Sequence, residues 1–155
     1  MKNSINGTWL LGIVLVFMAI FIAYITISID YNEAYILKSK MVTIIEQYEG
    51  MNGNTVQMLN SAMRNEGYYG LLSCKSRDGE KVIGGLEDQI VVNPSQKMNY
   101  CVTRDIRYGE DATEDKYYYT VTVTFAYSVP ILGDIFDFKV SGETRDIHYP
   151  HDSYF

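Results

Sequence analysis

The chain has 155 residues, 47% of them hydrophobic and 21% charged, with a formal net charge of -6. Nothing from Asn3 to Ile29 carries a charge, so the acidity belongs to the residues from Asp30 onward, enough sequence for one small domain. That acidic part has its Lys and Arg scattered singly, with no basic stripe, which excludes nucleic acid as a partner.

Trp9 to Ile29 reads WLLGIVLVFMAIFIAYITISI, long enough as a helix to cross a hydrocarbon layer of about 30 Å. Thirteen of its positions are Leu, Ile, Val or Phe. At about -0.3 to -0.6 kcal/mol each near the bilayer centre they sum to roughly -4 to -8 kcal/mol, which Gly12, Thr26 and Ser28 only trim. Trp9 at one end and Tyr24 and Tyr31 at the other stand where amphipathic rings settle at a membrane interface. The rival reading is a cleaved secretory signal following Lys2. The apolar run is longer than such signals use and no A-x-A site closes it, which favours a retained anchor in contact with membrane lipid. A short N-terminal tail stays in the cytoplasm, so the expected layout is a cytoplasmic tail at 1–8, a transmembrane helix at 9–29, an amphipathic extension at 30–49 and an extracytoplasmic α+β domain at 50–155.

Beyond Ile29 the apolar residues Ala34, Leu37, Met41, Ile44 and Tyr48 fall on one helical face, opposite Glu33, Lys38, Lys40, Glu46 and Gln47. No Pro or Gly lies between Ile13 and Glu49, so one helix is expected from about Trp9 to Glu49, roughly 60 Å long, with Gly50 as its stop. Its stripe packs either on the chain's own domain or on sister helices. A shorter helix is expected from Thr55 to about Glu66, capped by Asn54, with Val56, Leu59 and Met63 on one face and Gly67 at its end.

From Tyr117 to Val129 strict alternation defines a strand whose buried face is Tyr119, Val121, Val123, Phe125, Tyr127 and Val129. After Pro130 and the turn signal Gly133-Asp134, the alternating Phe136, Phe138 and Val140 give its hairpin partner. Weaker strands are expected near Leu71 to Cys74, Gln89 to Val92 and Met98 to Arg107, with Gly84-Gly85 read as a turn. The fold class is then α+β: a long N-terminal helix packed on a small antiparallel sheet. Cys74 and Cys101 form a disulfide if the domain lies outside the cytoplasm, and two buried thiols if it does not.

Chemistry is scarce. His148 and His151 in HYPH have a chelating spacing, but Pro150 and their place near the end of the sequence favour a solvated tail. Glu110, Asp111, Glu114 and Asp115 lack the order of a calcium loop and read as a hydrated turn. There is no HExxH, GxSxG, CxxC or P-loop pattern, so no catalytic residue, metal or cofactor is expected. Fourteen tyrosines mostly serve packing. Tyr68-Tyr69 and Tyr117-Tyr118-Tyr119 offer rings for a contact surface, and Tyr118, opposite Tyr119 on its strand, is the best candidate.

A short polar N-terminus, an apolar helix that turns amphipathic, and a compact β domain ending in the strands VTVTFAYSVP and DFKVSGETR together resemble pilins and pseudopilins. The chain is most similar there to TadE-like minor pilins of tight-adherence systems. The resemblance implies a helix that lies in the membrane before assembly and in a filament core afterwards. It implies partners that are other pilin-like or secretion-system subunits or the chain itself, and no catalytic residue. Processing in such families follows a Gly, here Gly7, and prefers Glu five residues into the mature chain, where this sequence has Gly12. An unprocessed, membrane-held accessory component is the reading that departure suggests. The expected function is therefore an assembly subunit of a surface appendage or secretion system. A membrane-tethered binding module using the Tyr-rich sheet is the alternative.

Overall fold

The computed structural model describes residues 2–65, 70–75, 80–86, 89–109, 115–129 and 133–155. Helix α1 (Lys2–Gln47) is unbroken over 46 residues, about 70 Å at 1.5 Å per residue. It starts at Lys2 rather than Trp9. It closes where Glu49 takes a left-handed φ of 51° and the Gly50 amide donates to Ile45 O at 3.1 Å, a 6→1 bond of the Schellman type.

The stripe on its C-terminal half packs on the chain's own sheet. Ala34, Leu37, Met41 and Ile45 are fully buried, whereas Ile44 and Tyr48 are half-buried at its flank. The expected series ended on Ile44 and Tyr48 because alternate steps of three and four average 3.5 residues. A straight helix advances 3.6 per turn, so the buried line drifts onto Ile45.

Helix α2 (Gly53–Asn65) follows, burying Thr55, Val56, Leu59, Asn60 and Met63. Its cap is Asn52, not Asn54. Asn52 Oδ1 accepts from the Thr55 amide at 3.0 Å, and Thr55 Oγ1 accepts in return from the Asn52 amide at 3.5 Å. This is a capping box with Thr in the position usually held by Glu or Gln. The expected ends at Glu66 and Gly67 lie outside the described residues.

Among the described residues seven strands follow: β1 (Leu72–Ser73), β2 (Val82–Leu86), β3 (Gln89–Val92), β4 (Lys97–Met98), β5 (Tyr100–Arg107), β6 (Lys116–Val129) and β7 (Gly133–Glu143). A five-stranded antiparallel sheet runs β3-β2-β5-β6-β7, and β1 pairs separately with β4. The stretch expected as one strand from Met98 is divided at Asn99, whose side chain donates to Gly70 O at 3.1 Å.

Strand β2 is the element that the Gly84-Gly85 turn reading missed. The Tyr100 ring lies against Gly85 on one face, and Met98 and Pro94 lie against Gly84 on the other, where any Cβ would collide. These glycines are strand residues kept small for close neighbours. Gly133 and Asp134, also read as a turn, pair with Val129 and Ser128 in the hairpin. Pro130 lies outside the described residues.

The α1 and α2 stripes meet Ile83, Tyr100, Val102, Tyr119, Val121, Val123 and Val140 in one core. The opposite sheet face carries a smaller cluster of Leu72, Val82 and Cys101, with Cys74 against it.

Candidate interaction surfaces

Helix α1 has two environments. From Thr8 to Glu33 every residue is exposed except Ala23 and Asp30, which are half-buried. The exposed side chains include Trp9 at 74% and Phe17 at 66%. The most apolar part of the helix has a mean hydropathy of 2.8 and none of it is buried. By length and composition α1 can cross a membrane. Gly7 sits within its first turns, and at Gly12 the space a Cβ would fill is open. Thr8, Gly12, Val16 and Ile20 border a shallow apolar groove with Trp9, Ile13 and Phe17 on its walls.

Cys74 and Cys101 form a disulfide across Cα atoms 5.6 Å apart. The bond ties the segment after β1 to β5 on the sheet face away from α1. Closing a loop with a sequence separation of 27 contributes about 3 to 4 kcal/mol in the chain-entropy treatment, and such bonds persist in oxidising compartments.

A densely bonded polar side chain among the described residues is one the sequence reading passed over. Asp152 accepts from the Met51 amide, from Tyr119 Oη and from Arg104 Nη1, each at 2.7 Å, with its side chain 6% exposed. The neighbouring backbone is held as well: the His151 amide donates to Glu49 O at 2.7 Å and the Ser153 amide to Met51 O at 2.9 Å. The Phe155 ring lies 5.8 Å from that of Tyr119, and the Arg104 guanidinium lies 5.1 Å from the Phe155 centroid.

Residues 144–155 therefore pin the α1–α2 corner to the sheet rather than forming the expected solvated tail, although the His148 and His151 side chains remain exposed. Gly50 makes the contact possible, because a Cβ there would stand 2.8 Å from Asp152 Oδ1. Burial pushes the Tyr119 phenol well above the ordinary range, and donation to the Asp152 carboxylate pushes it further. Tyr100 is raised too, chiefly by burial, and donates to Asn60 Oδ1 at 3.0 Å. One signal for this cluster was available: a tyrosine on the inward face of a central strand needs a partner for its hydroxyl.

Tyr118 is half-buried, not fully presented. The Arg107 guanidinium lies 4.5 Å from its ring centroid and donates to Asp146 Oδ1 at 2.9 Å. Tyr118 borders a cleft of about 450 Å³ with Glu80, Lys81, Asp105, Ile106 and Tyr108.

Comparison with protein families, curated proteins and solved structures finds no match to this chain. Among the described residues no three His, Cys, Asp or Glu side chains are grouped to hold a metal ion. Glu110, Asp111, Glu114 and the pair Tyr68-Tyr69 lie outside the described residues. Asp115 is half-buried just before β6.

Proposed function

We propose that the chain is a membrane-anchored structural or assembly subunit, of the minor pilin or pseudopilin kind, in a surface appendage or secretion apparatus. The observation that carries this reading is the division within α1. One stretch buries Ala34, Leu37, Met41 and Ile45 in the domain, while the contiguous stretch from Thr8 to Ile29 contacts none of that core. An apolar surface of that size does not stay in water. Lipid satisfies it first, and sister helices satisfy it in an assembly.

The division also favours retention of the anchor, since the apolar stretch runs without a break into the helix on which the domain is built. The Cys74–Cys101 disulfide supports an extracytoplasmic domain, hence a cytoplasmic N-terminus. No role in this reading calls for a catalytic group or cofactor, and its partners are lipid and other subunits of the same kind.

Leu37 and Met41 are closed to any partner by the chain's own sheet, so the surface that meets other subunits is the exposed one. Single cysteines at Ile13, Val16 or Ile20, oxidised in cells, should trap adducts with sister or pilin-like chains, while a cysteine at Leu37 should trap none. Monomer alone at all the exposed positions removes the assembly reading. Intact mass of the membrane-extracted protein then tests processing, for which loss of residues 1–7 is the signature.

A second reading, a tethered binding module, is favoured by the cleft beside Tyr118. It requires Tyr118→Ala to abolish capture of a ligand while leaving assembly intact.

A further inference from the structure

Strands β6 and β7 outrun the sheet they belong to. The β5–β6 pairing ends at Tyr100↔Val123, whereas β6 and β7 remain paired as far as Val129↔Gly133. Beyond Val123 and Val140 the hairpin is therefore a two-stranded arm.

Its direction is fixed by contacts along α1. The Arg145 amide donates to Glu46 Oε1 at 2.7 Å, and the stem of Lys38 lies over Gly142, which pairs with Val121. Val123 and Val140, two residues farther along the paired strands, come level with about Ala34 at the ordinary rises of strand and helix. Moving from Tyr119 toward Val129 thus means moving toward the N-terminus of the helix. From Val123 to Val129 the arm rises roughly 20 Å at about 3.3 Å per residue, equivalent to about 13 residues of helix. A straight continuation of the arm beside α1 would bring its end to about the level of Phe21 to Ile25, on the domain side of the apolar segment.

The helix carries an independent mark of this. Ala23 and Asp30 are the half-buried residues in an otherwise exposed stretch. They are seven residues apart and continue the line of Ala34, Leu37, Met41 and Ile45, the side on which the arm lies.

We propose that the β6–β7 arm is a second membrane contact, seated at the lipid headgroup level beside α1. The inference rests on the anchor reading given above. At the described end of the arm Tyr127, Ser128, Val129 and Gly133 carry no charge, and Tyr is a residue type of the interface. Asp134 and Asp137 set a limit on depth, because carboxylates are costly in the hydrocarbon centre. A helix alone leaves the domain to rotate about its axis. A helix with an arm beside it holds one face of the domain toward the bilayer.

The test uses the full chain in phosphatidylcholine vesicles, with an environment-sensitive fluorophore on one added cysteine at Val129, at Ile25 or at Ser141, and quencher lipids labelled near the headgroup. The Val129 probe should be quenched at least half as strongly as the Ile25 probe, and the Ser141 probe should not be quenched. Quenching at Ile25 without quenching at Val129 overturns the arm contact and leaves the anchor standing. Absence of quenching at both sites overturns the anchor and the arm together. A Val129 probe untouched by lipid that transfers energy to a separately labelled copy overturns the proposal in favour of contact between subunits. Repeating the measurement at Ser128 guards against misfolding at one site, and an intact Cys74–Cys101 bond reports that the domain is folded.

Discussion

Two stretches of one helix obey different rules. Residues 34–47 of α1 are amphipathic and owe their environment to the sheet beneath them, whereas the stretch from Trp9 to Ile29 is predominantly apolar around the whole axis and has no member in the core. No proline or glycine marks the change. The difference shows that the solvent of a helix is set by how its apolar residues are distributed around the axis, and that helix continuity carries no information about it.

The contrast can be broken most forcefully from the apolar side. Replacing Phe17 and Ile20 together with Arg should cost about 6 kcal/mol of insertion free energy. Membrane flotation should then recover most of the protein in the soluble or aggregated fraction. The converse change, Leu37→Ala, should leave flotation intact but lower domain stability by about 2 to 5 kcal/mol, measured by urea denaturation in detergent micelles. Ile44→Ala, at the flank of the stripe, should cost visibly less. Removing the disulfide by Cys74→Ala with Cys101→Ala should cost roughly 3 to 4 kcal/mol in the same assay.

Smaller effects sharpen the comparison within the folded domain. Asp152→Ala removes the acceptor of three groups and should cost about 2 to 3 kcal/mol. Arg104 is partly exposed and rehydrates, which keeps the loss below that of a sealed ion pair. A comparable effect is a pH dependence. Tyr119 and Tyr100 have raised pKa values in the folded state, so above pH 10 the unfolded chain sheds protons that the native chain keeps. Stability is then full below about pH 10 and falls as pH rises, by about 1.4 kcal/mol per pH unit for each of the two groups. Absorbance at the phenolate band should show two tyrosines that ionise only with unfolding.

Much of this architecture was legible in the residues. Alternation from Tyr119 to Val123 and the stripe from Ala34 to Met41 are periodic signals that local geometry converts directly into burial. The cysteines were readable as a pair only on the expectation that the domain lies outside the cytoplasm. The failures share a cause, which is that the deciding contact is remote in sequence. Gly84 and Gly85 look like a turn until Met98 and Tyr100 are seen to lie on them. Asn54 is a plausible cap until Asn52 is found facing Thr55. Asp152 has no local pattern at all, since its partners are Met51, Arg104 and Tyr119. The Tyr118 surface was half legible: alternation assigned its face but could not anticipate that Arg107 would cover the ring.

The placement of α1 along β6 and β7 has a mechanical consequence. Tension applied at the N-terminal end of α1 runs along the interface formed by Ala34, Leu37, Met41 and Ile45, so these contacts share the load in shear instead of parting one after another. At the far end of the helix the corner at Glu49 and Gly50 is clasped by Asp152 and its flanking amides, so the chain cannot be unzipped from that end without first tearing a charged clasp.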